Sequence, residues 1–198
     1  CISAHPSRLT RLPRVMVDQS TLVIGTLVAL VAAVAAYKYL QQAHGSSNGL
    51  PTTRQAQLVT STWEKVKTLG PQDVGVLLFQ NLFAKHPEGL GLFKKFGGDK
   101  DWVNNPAFRA HALNVVTHVD TAISLLGDLD TLVPVLQKLG NSHIEYGVKP
   151  EHYDWVGEAF LTTLGQGLKE DFTPEVKDAY IAVYGTVASV MMGDNYKK

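Results

Sequence analysis

Cysteine is almost missing from this chain: of 198 residues only Cys1 carries a thiol, so no internal disulfide can form. That composition fits a reducing compartment and leaves stability to the core. Net charge is missing too, with 18 Lys and Arg against 18 Asp and Glu. No basic stripe or Lys/Arg-rich tract stands out, which excludes nucleic acid as a partner. Period-two alternation of useful length is absent after residue 51, so the expected fold class is all-α. Internal repeats are absent as well, and the only biased stretch is an Ala/Val-rich one near the start.

The charge that is present falls unevenly. Before Pro51 the charged residues are Arg8, Arg11, Arg14, Asp18 and Lys38, which leaves the remainder slightly acidic. Residues 1–18 read as a tail. Residues 19–40 contain TLVIGTLVALVAAVAAYKYL, with no charge between Gln19 and Tyr37. At ~1.5 Å per residue such a helix can cross a ~30 Å hydrocarbon core. The segment is therefore expected to be a membrane anchor. The small residues around Ala35 and Ala36 also suit a cleaved signal, and a buried or interfacial extra helix is the third reading. Residues 41–51 are a polar, Gly/Ser-rich linker with a solvated His44, residues 52–193 a helical domain, and residues 194–198 a polar tail.

Topology follows from the first residue counted. With translation from Met16, only Asp18 precedes the apolar run and Lys38 and Arg54 follow it, so the positive-inside rule keeps the domain cytosolic. With residues 1–15 included, Arg8, Arg11 and Arg14 outweigh Lys38 and favour an outside or secreted domain. The lack of disulfide cysteines favours the membrane-anchored, cytosolic arrangement.

Caps and prolines divide the domain. Thr52 and Gln55 stand at capping-box spacing before a helix carrying Ala56, Val59, Trp63 and Val66 inward. Gly70-Pro71 ends it and opens a second helix reaching about Lys85. Asn105-Pro106 and Thr173-Pro174-Glu175 open two more, each a cap followed by proline. A short helix is expected from Asp130-Thr131 to about His143, with Pro134 in its first turn. Lys149-Pro150 starts the next, whose inward set is Tyr153, Val156, Gly157, Phe160, Leu161 and Leu164. His152 and Trp155 fall off that stripe.

Two histidines stand out. In NPAFRAHALNVVTHVDTAI the apolar residues Phe108, Ala112, Val115, Val119 and Ala122 recur at three and four, and His111 lies in or beside that stripe. In LVPVLQKLGNSHIEYGV, Val133, Leu136 and Leu139 rise along one face to His143. Two readings follow. Each imidazole is a core residue bonded to backbone carbonyls, or the pair flanks a metal. Haem is the natural metal group, because the other lining residues are apolar and no carboxylate or thiol completes a zinc set. His118, two turns after His111, reads as structural or solvent-facing.

HPEGLGLFKKF, from His86 to Phe96, precedes the first histidine, and with it the chain resembles the globin family over roughly Pro51 to Gly193. The run HIEYGVKPEHY is similar to neuroglobin-like and invertebrate globins, and Trp63 to the tryptophan of the first globin helix. The resemblance implies a globin fold with an N-terminal hydrophobic extension. It also implies His143 as proximal haem-iron ligand and His111 as distal histidine, either stabilising O₂ or serving as sixth ligand. Phe93 matches the phenylalanine on the haem face, Val115 the distal valine, Leu139 the neighbour of the ligand and Val148 the apolar residue after it. Phe79, one turn after Gly75, is expected over the ligand side. Gly75 and Ala112 match the close helix crossing.

The implied activity is reversible binding of O₂ and other small gases on haem b, for oxygen storage or transport. Covalent attachment is not expected, since no CxxCH occurs. The alternative is a membrane-tethered haem redox enzyme of the nitric oxide dioxygenase or nitrite reductase type. That reading requires an external reductase.

Overall fold

The computed structural model describes residues 51–96, 101–194 and 196. The expected tail, the hydrophobic segment 19–40 and the linker up to residue 50 lie outside the described residues. Among the described residues no helix is long and apolar enough to cross a membrane.

Each helix starts where a side chain or a proline can deal with the orphan N–H groups of a first turn. Helix α1, Thr53–Lys67, opens with the capping box: Gln55 N–H donates to the Thr52 hydroxyl at 3.2 Å and Thr52 N–H donates to Gln55 Oε1 at 2.8 Å. Helix α2, Pro71–Lys85, begins at the proline, and a 3₁₀ run, Pro87–Phe96, follows. A short 3₁₀ turn, Trp102–Asn104, leads into α3, Pro106–Ser124, where Asn105 accepts from the N–H groups of Ala107 at 2.9 Å and Phe108 at 3.3 Å. Helices α4, Leu129–Glu145, α5, Pro150–Leu168, and α6, Pro174–Met192, complete the set.

The first-helix expectation holds for Val59, Trp63 and Val66, which are buried, while Ala56 is half-buried. Trp63 also ties α1 to α3, its indole N–H donating to Asp120 Oδ1 at 2.9 Å. At the crossing of α2 and α3 a methyl group on Gly75 would run into the Ala112 carbonyl. A glycine that costs about 1 kcal/mol in helix propensity there permits a backbone contact no larger residue allows. A second such crossing joins α4 to α6, where a methyl group on Gly140 would collide with the Met191 carbonyl.

Two expectations need correction. Helix α4 spans 17 residues, and its cap is Asp128, which accepts from Thr131 N–H at 3.2 Å. It opens within a residue or two of the expected start near Asp130-Thr131 but runs on past His143 to Glu145, so it is not short. Pro134 consequently lies inside it, in the second turn rather than the first. The stripe of α3 also splits in two. Phe108, Ala112, Val116 and Ile123 are fully buried, whereas His111, Val115, Val119 and Ala122 are half-buried along a neighbouring face.

Candidate functional site

That neighbouring face of α3 lines a cavity of about 780 Å³, a size that suits a large organic ligand. Its walls come from all six α-helices, α1 through Val59, and from the 3₁₀ run after α2. Phe79, Phe93, His111, Val115, Leu139, His143 and Val148 all line it. His111 and His143, on α3 and α4, thus border one mostly apolar space.

The wiring of His143 decides which of its nitrogens is available. Its Nδ1–H donates to the Leu139 carbonyl one turn earlier at 2.8 Å. That bond fixes ring plane and tautomer and leaves the Nε2 lone pair uncommitted, the arrangement a metal-ligating imidazole uses. Burial is the larger influence on its acidity and pushes the pKa below the ordinary histidine value, against the opposing bond to Leu139. The ring is thereby kept neutral, as a ligand must be.

His111 sits among aromatic rings. Its centroid lies 5.5 Å from Phe79 and 5.5 Å from Phe93, and Phe79 meets Phe93 edge-on at 5.2 Å. Phe108 closes the cluster at 5.1 Å from Phe79. The phenylalanines form an apolar wall on the α3 side, and the imidazole is the polar group set into it.

Among the cavity residues not expected at the site are His118, His152 and Trp155. His118 is exposed, yet it is among the residues that line the cavity, and its Nδ1–H donates to the Asn114 carbonyl at 2.7 Å. His152 and Trp155, off the inward stripe of α5, line it as well. Lys149 N–H donates to His152 Nδ1 at 3.0 Å, which leaves a proton for its Nε2. A stripe computed for a solid core cannot register them, because a cavity wall faces neither core nor solvent. The signal available was three aromatic residues, His152, Tyr153 and Trp155, in one helical turn.

Tyr153 was read as core and is buried, 7 % exposed, but it too lines the cavity. Its hydroxyl has no hydrogen-bond partner of good geometry, and burial, with Tyr196 beside it, holds its pKa well above the ordinary tyrosine value. The ring stands 6.2 Å from that of His143.

A bare metal ion does not suit this donor set: among the described residues no three His, Cys, Asp or Glu side chains converge. Two imidazoles in an apolar cavity suit a metal whose remaining ligands arrive with it, as in a porphyrin. The residues therefore fit haem, in an apolar cavity of an all-helical fold.

Comparison with known proteins gives the family. The family model described as Globin matches residues 76–191. Neuroglobin of Tetraodon nigroviridis is 33% identical over 145 residues, covering 71% of this chain and 89% of that protein. Neuroglobin of Chaenocephalus aceratus is 32% identical over 143 residues, covering 70% and 88%. The chain belongs to the globin family. The hexacoordinated heme protein from an anhydrobiotic tardigrade, solved at pH 4, has the same fold, with a TM-score of 0.65 at 18% identity over 74% of this chain and 96% of that one.

Proposed function

We propose that this globin reversibly binds O₂ on one non-covalently held haem b. The observation that carries this reading is the pair His111 and His143, on separate helices, lining one apolar cavity with the Nε2 of His143 uncommitted. Haem supplies an iron atom that takes up small gases and releases them. His143 would hold that iron through Nε2, with the Leu139 carbonyl fixing the ring. Leu139 and Val148 would pack against the group from the cavity wall near His143.

On the α3 side His111 offers a ring N–H to a ligand carrying partial negative charge, which favours O₂ over neutral carbon monoxide. Phe79, Phe93 and Val115 keep water and protons away, which slows oxidation of the ferrous form. With no gas bound, His111 would also be placed to bind the iron, since it borders the same cavity from α3. Cycling the ferrous protein between air and argon while recording visible spectra tests the proposal. Repeated, complete interconversion supports it; irreversible conversion to the ferric form on first contact with air contradicts it.

The second reading, a haem redox enzyme with an external reductase, draws on the uncharged run within 19–40 and its suitability as a cytosol-facing anchor. Turnover of nitric oxide or nitrite with a cellular reductant, outpacing gas release, would favour the enzyme. Membrane fractionation with protease protection tests the anchor. A soluble, amino-terminally shortened protein excludes it.

A further inference from the structure

Four histidines line the cavity, His111, His118, His143 and His152, and the hydrogen bonds of their rings distinguish them. A carbonyl oxygen only accepts, so a ring nitrogen bonded to one must carry the proton. His143 Nδ1–H donates to the Leu139 carbonyl at 2.8 Å and His118 Nδ1–H to the Asn114 carbonyl at 2.7 Å, each one turn back along its own helix. In both neutral rings the Nε2 lone pair is left for a metal. His152 is wired the opposite way. Its Nδ1 accepts from Lys149 N–H at 3.0 Å, so its Nε2 holds the proton and has no lone pair to give. His118 thus repeats on α3 the ligand wiring that His143 has on α4.

Position agrees with wiring. The α3 wall of the cavity runs from Ala107 to Ile123, roughly 24 Å of helix at ~1.5 Å per residue. His118 follows His111 by two turns less about 20°, so the two positions share a face, about 10.5 Å apart along the axis. Beyond burial, a charge on His118 also helps to hold the pKa of His143 down, so those two rings lie within electrostatic reach. His118 is exposed, so it stands where the cavity wall meets solvent and its ring can move without disturbing the core. A histidine that served only solvent would need no place on that wall.

We infer that His118 is a second α3 ligand for the haem iron, taking the sixth position through Nε2 whenever His111 leaves it. The inference rests on the haem reading above. In the exchange the Nε2–iron bond of His111 breaks and that of His118 forms. Each bond is made by a nitrogen lone pair, so the iron keeps its oxidation state and no proton moves. Loss of His111 from the iron, by motion or by mutation, then does not leave the iron open, and an incoming gas competes with two imidazoles in turn.

The test is visible absorption and electron paramagnetic resonance of the ferric holoprotein as wild type, His111→Leu and His111→Leu/His118→Gln. The expected result is a six-coordinate, low-spin spectrum in the wild type that persists in His111→Leu and gives way to a high-spin one in the double variant. A high-spin spectrum in either of the first two, or a double variant that stays low-spin, overturns the inference while leaving the haem reading intact. A second measurement stands even if the His111 variants take up haem poorly. After flash release of carbon monoxide from the ferrous wild type, histidine returns to the iron in two phases, and one of them vanishes in His118→Gln. A single phase, or two phases unchanged in His118→Gln, contradicts the second ligand. Failure of the wild-type chain to take up haem overturns the haem reading itself.

Discussion

At the scale of single residues, the two histidines differ in what holds them. His143 is fixed by a backbone carbonyl of its own helix, whereas His111 is walled by phenylalanines. Replacing His143 with alanine should therefore abolish stable haem retention. Replacing His111 with leucine should leave haem bound but speed gas loss and oxidation, as followed by stopped-flow absorbance. The lowered pKa of His143 also sets a pH dependence. Its folded value lies below its unfolded value, so the unfolded chain binds the extra proton first. The stabilising contribution is complete above the ordinary histidine range of about 6.5 and is lost as pH falls toward the folded value. Melts of the haem-free wild type and of His143→Gln should diverge on acidification, the wild type losing more stability. Parallel curves would mean that His143 is not buried neutral.

At the scale of elements, the helix starts were legible because caps are local chemistry. Thr52, Asn105 and Thr173 each accept the N–H bonds their positions implied. Replacing Asn105 with alanine should cost about 1 kcal/mol in a denaturant titration. The start of helix α4 is legible only to within a residue or two, because Asp130-Thr131 looks as good a cap as Asp128 and the path of the preceding turn chooses between them. Pro134 was placed in the first turn by the same error. The cavity face of α3 was blurred into the core stripe, since half-buried positions around a ligand space carry the same apolar residues as a solid core. The seven site residues could be named by resemblance to a family, but His118, His152 and Trp155 could not, because their place in the wall depends on how α3 and α5 are rotated. Close crossings are the other feature of this scale. Gly140 lies three residues before His143 and touches α6. Gly140→Ala should destabilise the fold by about 1–3 kcal/mol through overpacking and weaken haem retention by pushing α4 outward. An unchanged melting temperature and haem affinity would refute that role for the crossing.

At the scale of the whole molecule, the cavity is a gap in the core of a size that haem would fill. Apolar walls around 780 Å³ forgo packing contacts until a flat apolar group enters. A ligand that binds only the folded state stabilises it by mass action. Haem addition should raise the melting temperature of the wild type markedly and that of His143→Ala far less. The even balance of 18 basic and 18 acidic residues offers no strong steering field to an oppositely charged macromolecule, in keeping with a small neutral gas as ligand. The measurement that tests the account most directly is titration of the haem-free chain with haemin, followed by reduction and exposure to O₂. The account predicts saturation at one haem per chain, a His143-dependent spectrum and an oxygenated form that reverts fully under argon. Uptake without a stoichiometric end point, or a spectrum unchanged in His143→Ala, would contradict it.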